Sequence, residues 1–261
     1  VAFVALWMAI GLLFHLDPNS YLLMGVPLVV LFQLGVRREP LVKLWVRDAT
    51  NFRLNAWGIL LGLGLAAVPV VDLVRGYHTA PWAVILWLVC CIAGAFAAAF
   101  GLCRFTRTQF QALGFCLATA GVIGCAMMIS GAIAQKHTLA ITVSRATFCA
   151  KQFLLYFPVC FMLEEVVFRG AIDAHVHHPG EARPWWSAAF VSALWGLWHI
   201  GAVPMPERTH AARIVVVVVG LLLVHIPTGV FLSLGWRRSG NLAVPAMVHA
   251  LIDAVRNTVL M

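Results

Sequence analysis

Two adjacent carboxylates, Glu164 and Glu165, stand inside an otherwise apolar run that Arg169 closes. Trp195 lies four residues before His199, and His249 lies four residues before Asp253. A carboxylate with a free lone pair can take a proton from water, and an imidazole can accept or donate one near neutral pH. A cation or donor can then face a developing oxyanion. Together the three places hold the parts that hydrolysis of a peptide bond requires.

Spacing assigns roles within the set. Glu165 and Arg169 are i,i+4 with the acid first, the favourable order for a helical ion pair. Glu164 lies about 100° round an α-helix from Glu165, so Arg169 cannot serve both equally. Glu165 is therefore expected to be the paired, structural carboxylate. Glu164 is left to face a cavity as a general base. Trp195 and His199 share a helix face, which makes Trp195 a wall of that cavity. Asp253, one turn beyond His249, can fix the tautomer of its ring. An inert ion-paired lock between helices would also explain Glu164, Glu165 and Arg169, and a lone His near a helix end is often only packing. The three places are harder to dismiss together.

The elements that must position these groups follow from composition. The chain has 261 residues, 62% of them hydrophobic and 11% charged, with mean hydropathy +0.92. Soluble domains are nearer a quarter charged. An ordinary cytosolic globule, a disordered chain and a nucleic-acid-binding domain are excluded together. Apolar runs fall near 1–16, 21–36, 56–74, 82–102, 110–134, 152–176, 185–203, 212–234 and 241–260. The fold class is all-α: a polytopic transmembrane helical bundle of eight or nine spans with an internal polar cavity. The first two runs are short and joined by the turn signal Asp17-Pro18-Asn19-Ser20. The opening run has no basic start and no small-residue cleavage site, so it does not read as a cleaved signal peptide.

Residues 1–150 read as N-terminal membrane helices of uncertain role, and 151–261 as the catalytic membrane core, where ionisable residues enter the spans. The segment 37–55 carries Arg37, Arg38, Lys43, Arg47 and Arg53 and reads as an amphipathic helix on the membrane surface. Counting alternate loops, Arg104, Arg107, Arg183, Arg237 and Arg238 share its side. Arg75, Lys136, Arg145, Arg208 and Arg213 take the other. This excess places the 37–55 side in the cytoplasm. The net charge of +8 thus reflects topology and lipid head groups, which are the expected partners besides substrate, and not nucleic acid.

The motifs Glu164-Glu165-x-x-x-Arg169, aromatic-x-x-x-His199 and His249-x-x-x-Asp253 resemble the signature of the CAAX protease and bacteriocin-processing (Abi) family. Gly235 to Leu242 also resembles the family's approach to its last motif. The resemblance covers about 150–261. It implies an intramembrane endopeptidase in which Glu164 and His199 activate water, while His249 and residue 253 stabilise the oxyanion. The substrate would be a membrane-associated peptide or protein, reaching the cavity laterally or from the cytoplasmic face. The implied setting is a multi-pass protein of a bacterial cytoplasmic membrane. Two positions depart from the pattern: Trp195 stands where Phe is usual, and Asp253 where Asn is common. An ionised Asp cannot donate to an oxyanion, so Asp253 is either protonated or orients His249.

No cofactor is expected. Glu164, His199, His249 and Asp253 are zinc-type ligands, but the HExxH spacing is absent, so a metal-dependent protease is the alternative. A catalytically silent immunity or scaffold protein and a transporter gated by the ion pair also compete. The stretch Asp173 to His178 has histidines but no ligand spacing. His225 with Pro227 marks either a kink facing the cavity or core. The seven cysteines form no CxxC pair and read as packing residues. Neither a serine GxS nor an aspartyl GxGD motif is present.

Overall fold

The computed structural model describes residues 1–76, 81–137, 142–202 and 211–261. Arg208 and the last residue of the 185–203 run lie outside the described residues. The chain is an all-α membrane bundle. Helices α1 (Ala2–Leu13), α2 (Pro18–Val36), α3 (Ala56–Gly76), α4 (Pro81–Leu102) and α5 (Arg107–Ala134) precede α6 (Val143–Val176), α7 (Pro184–Trp198), α8 (Ala211–Ser239) and α9 (Ala243–Val259).

Among the described residues six helices are long and apolar enough to cross a membrane: α2 to α6 and α8. The eight or nine spans expected from hydropathy exceed that number because α1, α7 and α9 have only 12, 15 and 17 residues. Hydropathy does not distinguish a helix that faces lipid from one enclosed by protein. Helix α9 is of the second kind, with Val244, Val248 and His249 buried. Helix α8 is of the first, with Val216 70% and Leu223 63% exposed.

The first turn also differs from expectation. Pro18, Asn19 and Ser20 form the start of α2, and Asp17 is its N-cap, accepting from the Asn19 and Ser20 amides at 3.0 and 3.3 Å. Pro at the first helical position fits because its missing N–H has no helical partner to lose. The Ser20 hydroxyl also donates to Asp17 and holds its carboxyl below the usual range. The chain reverses just before, where His15 takes φ 49°.

Segment 37–55 is not an amphipathic helix. It holds a single 3-10 turn, Leu41–Leu44, after Pro40, and Val46 bridges Asn241. Its apolar residues plug the bundle end instead: Val42 and Leu44 are buried, and a Cβ on Gly170 would lie 2.5 Å from the Leu44 carbonyl oxygen.

This end is tied together by cross-chain hydrogen bonds. The Arg47 amide donates to the Gly240 carbonyl at 2.9 Å, Gln109 Nε2 to the Ser239 carbonyl at 2.9 Å, and Asn241 Nδ2 to the Gly101 carbonyl at 2.7 Å. Arg37 Nη1 reaches the Gly170 carbonyl at 2.8 Å. Arg237 holds the buried Asp173 through two nitrogens at 2.9 and 2.6 Å. The Asp173 to His178 stretch thus closes a helix end. The opposite end is joined by Lys151 to Asp72 at 2.5 Å and Asn257 to Gln152 at 3.0 Å.

Helices α1 and α2 meet α7 near this second end. Trp7 Nε1 donates to the Tyr21 carbonyl at 2.9 Å, and the Tyr21 hydroxyl donates to the Trp198 carbonyl at 2.9 Å. Tyr21 stacks on Trp198 with centroids 5.5 Å apart. The N-terminal helices therefore clamp the residue that immediately precedes His199.

Candidate active site

Helix α6 is not uniform. Val143–Cys160 is α-helical, and Phe161–Asp173 is a π-helix. Pro158 supplies no N–H to the ladder just before the change. On its other side α4 presses close: a Cβ on Gly94 would lie 2.3 Å from the Pro158 carbonyl oxygen. A π-helix bonds i to i+5, so more residues fill each turn and neighbours diverge less than in an α-helix. Glu164 and Glu165 nonetheless part company. The Glu164 side chain is 15% exposed, toward a cavity, and that of Glu165 is fully buried.

The cavity has a volume of about 730 Å³. Glu164, Trp195, His199, His225, His249 and Asp253 form its polar wall. Its apolar wall comes from α2, α5, α8 and α9, including Leu22, Met128, Val216 and Ile252. None of the lining residues belongs to the plugged end.

Glu164 Oε2 is the centre of the polar wall. Trp195 Nε1 donates to it at 2.8 Å. His199 Nε2 lies 3.6 Å away and His249 Nε2 4.0 Å away. Trp195 is thus more than a wall, because it supplies a hydrogen bond that Phe cannot make.

The imidazoles are oriented from behind. His199 Nδ1 meets the Trp195 carbonyl at 2.9 Å, and His225 Nδ1 meets the Leu221 carbonyl at 2.7 Å. A carbonyl only accepts, so each Nδ1 carries the proton and each Nε2 is free. His249 Nδ1 pairs with Glu165 Oε1 at 2.8 Å. Glu165 therefore does two things: it binds Arg169 Nη1 at 3.1 Å and orients His249. Arg169 is fully buried and also lies over the Trp195 ring, 4.2 Å from its centroid.

Asp253 makes its shortest contacts to groups other than His249. Its Oδ1 pairs with Arg256 Nη1 at 2.9 Å, and its Oδ2 accepts from Cys160 Sγ at 3.3 Å. His249 Nε2 is 3.6 Å from Oδ2. The carboxylate that holds His249 by a short hydrogen bond is Glu165.

Two groups near the site were missed or only half read in the sequence. Cys160 is one turn before Glu164, and its Sγ, a Glu164 oxygen and a His249 nitrogen lie within 4.8 Å of one another. Its i,i+4 spacing from Glu164 was the available signal. His225, for which the sequence leaves a kink facing the cavity or core open, lines the cavity; its ring is 4.2 Å from that of His199 and 4.5 Å from that of Trp195.

Residues 145–255 match the family model described as type II CAAX prenyl endopeptidase Rce1-like. No curated protein and no solved structure matches the chain. The matched segment contains Glu164, Trp195, His199, His225, His249 and Asp253, all of the polar wall just described, and Cys160 behind it. Over residues 145–255, less than half of its length, the chain is similar to the Rce1-like CAAX protease family of intramembrane endopeptidases.

Proposed function

We propose that the chain hydrolyses a peptide bond of a membrane-associated peptide or protein at the centre formed by Glu164, His199 and His249. The observation that supports this is the convergence of Trp195, His199 and His249, from two further helices, within 4.0 Å of a single Glu164 oxygen. An immunity scaffold or an ion-pair gate would have no need of both imidazoles there.

In this reading Glu164 takes a proton from a water held between it and His199 Nε2. The hydroxide adds to the scissile carbonyl carbon. In the metal-free form of this reaction His249, oriented by Glu165, turns its Nε2 to the oxyanion as a hydrogen-bond donor. Glu164 then passes its proton to the leaving amine as the C–N bond breaks. Asp253 acts through Arg256 and Cys160, at the edge of this sequence.

The donor set also fits a zinc-class ion, and this favours metal assistance over a purely glutamate-dependent reaction. Cys160, Glu164 and His249 would hold the ion, since thiolate, carboxylate and imidazole are its usual ligands. The His249 Nδ1 bond to Glu165 is the kind of outer contact that orients a metal-binding ring. Such an ion would polarise the water or the carbonyl. Membrane lipids surround the bundle, and a bacterial cytoplasmic membrane is the proposed setting.

The test uses purified protein and a quenched fluorescent peptide library. Glu164→Gln, His199→Ala and His249→Ala are expected to be inactive while folded; equal cleavage by all of them removes the enzyme reading. Elemental analysis of wild type and Cys160→Ala decides the metal. One ion per wild-type molecule, lost together with activity in the variant, supports it. A metal-free and fully active protein leaves Glu164 and His199 to activate water alone.

A further inference from the structure

His225 takes no part in the steps above, yet its ring is 4.2 Å from that of His199. The approach is built into the packing of α7 on α8. A Cβ on Gly196 would lie 3.2 Å from both the His225 Cβ and the Leu221 carbonyl oxygen, so a glycine is what lets the two helices meet this closely. The Leu221 carbonyl accepts from His225 Nδ1 at 2.7 Å. With Nδ1 turned back to its own helix, Nε2 is the nitrogen left for the cavity, which His225 lines. It carries a lone pair and no proton. His199 Nε2 is in the same state, because its Nδ1 donates to the Trp195 carbonyl. Two neighbouring acceptors cannot satisfy each other, so each takes a donor from what the cavity holds. The attacked water serves His199. His225 is left for another donor.

The wall around His225 indicates what brings that donor. Val217, Gly220, Leu221, Val224, His225 and Thr228 line the cavity from α8. At 1.5 Å per residue this stripe is about 16 Å long, a length that roughly five residues of extended chain span. An apolar wall with a sparsely placed polar atom is the usual make-up of a site that fixes a ligand's position. Gly220 lies inside the stripe. A Cβ there would meet no atom within 4 Å, so packing does not require the glycine, although glycine weakens a helix. Its missing side chain leaves room for one from a substrate.

We infer that this stripe of α8 is a substrate groove: a peptide lies extended along it, and His225 Nε2 accepts one of its backbone N–H groups next to the scissile bond. The assignment rests on the protease reading, since it needs a peptide in the cavity. His225 is then a binding group beside the reacting atoms. A hydrogen bond made on binding and kept through the reaction contributes to KM and not to kcat.

The test starts from a peptide of the quenched library that the wild type cleaves, resynthesised with a backbone ester in place of each non-scissile amide in turn. One ester is expected to raise the wild-type KM about tenfold, the scale of a single lost hydrogen bond. His225→Phe keeps a ring and removes the acceptor. It should show that raised KM with the all-amide peptide, a kcat within about threefold of wild type, and no further penalty from that ester. His225→Gln, whose side-chain oxygen accepts, should recover part of the loss. Gly220→Leu enters the groove from a position without protein neighbours, so it keeps the fold, and it should raise KM by a similar factor. Equal ester effects in wild type and His225→Phe, an unchanged KM in His225→Phe or Gly220→Leu, or a fall in kcat at unchanged KM overturns the inference. If the wild type cleaves no library peptide, the protease reading falls and this inference with it.

Discussion

The two ends of this bundle spend their charged side chains in opposite ways. At the basic end, where Arg37, Arg47 and Arg237 gather, the buried charges are matched locally. Arg237 grips Asp173 through two nitrogens, Arg37 binds Glu39 at 2.7 Å, and Trp236 and Leu44 are buried. At the cavity end the ionisable groups are incompletely matched. Glu164 receives one short hydrogen bond, from Trp195, and the nearest ring nitrogens stand at 3.6 and 4.0 Å. Charges in lipid are costly, roughly 2.5–3.5 kcal/mol each at the centre of a span. A set kept short of full pairing is what a site needs if it is to bind something else.

The comparison breaks most decisively at Glu164. Its replacement in Glu164→Gln removes the proton acceptor and is expected to lower cleavage by about 10³-fold, within the range for loss of an acid–base group. Thermal unfolding in detergent should be little changed. Retained cleavage would place the chemistry elsewhere.

Between the two extremes lies the Glu165 and Arg169 pair, which supports the site while being buried like the basic end. Arg169→Leu leaves the buried Glu165 with His249 as its remaining partner, and breaking a buried pair destabilises by about 3–5 kcal/mol. The same substitution frees Glu165 and weakens its hold on His249, so both unfolding temperature and activity should fall. A loss of activity with unchanged stability would show that Arg169 contacts substrate.

Arg237→Gln sharpens the contrast from the other side. It removes a partner of the buried Asp173 and should destabilise by about 3 kcal/mol on the same grounds. The rate per folded molecule is expected to stay near that of wild type. A specific effect on catalysis would mean that the plugged end communicates with the cavity.

Trp195→Phe keeps an aromatic surface but deletes the hydrogen bond to Glu164. One hydrogen bond to a charged group is worth about 1.5–3 kcal/mol, and part of it is expected in the barrier. A roughly tenfold fall in kcat with little change in KM, read by steady-state cleavage of a library peptide, would fit a positioning role for the indole. An unchanged kcat would reduce Trp195 to a wall.

Asp253→Asn is expected to have the smallest effect. The amide keeps an oxygen for Cys160 Sγ and loses the ion pair with the 41% exposed Arg256. Exposed pairs contribute about 0–1 kcal/mol, so activity within about threefold is expected. A loss of a hundredfold would restore Asp253 to the reacting groups.

Much of the site was legible because a lipid environment makes polar residues conspicuous. Glu164, Glu165, Arg169, His199, His249 and Asp253 stand out in spans that are otherwise apolar. The separate fates of Glu164 and Glu165 followed from one i,i+4 relation. Cys160 was not legible, because a cysteine in a helix looks the same whether it packs or faces a donor cluster. His225 was half legible for the same reason. Glu165 appeared as a partner of Arg169 only, since its bond to His249 spans 84 positions of sequence. The basic 37–55 segment misled because alternating charge and apolar residues suit a plug as well as a surface helix.

Composition and short-range spacing by themselves determined that this chain is a helical membrane protein, which residues are candidates for chemistry, and which of two neighbouring acids is paired with Arg169. These are local properties, set by the cost of charge in lipid and by the pitch of a helix. Only the tertiary structure decided which end the Glu164 cavity faces, which carboxylate contacts His249 most closely, and that α9 sits inside protein rather than against lipid. Those outcomes depend on how separate helices pack, and distance along the chain holds no information about that.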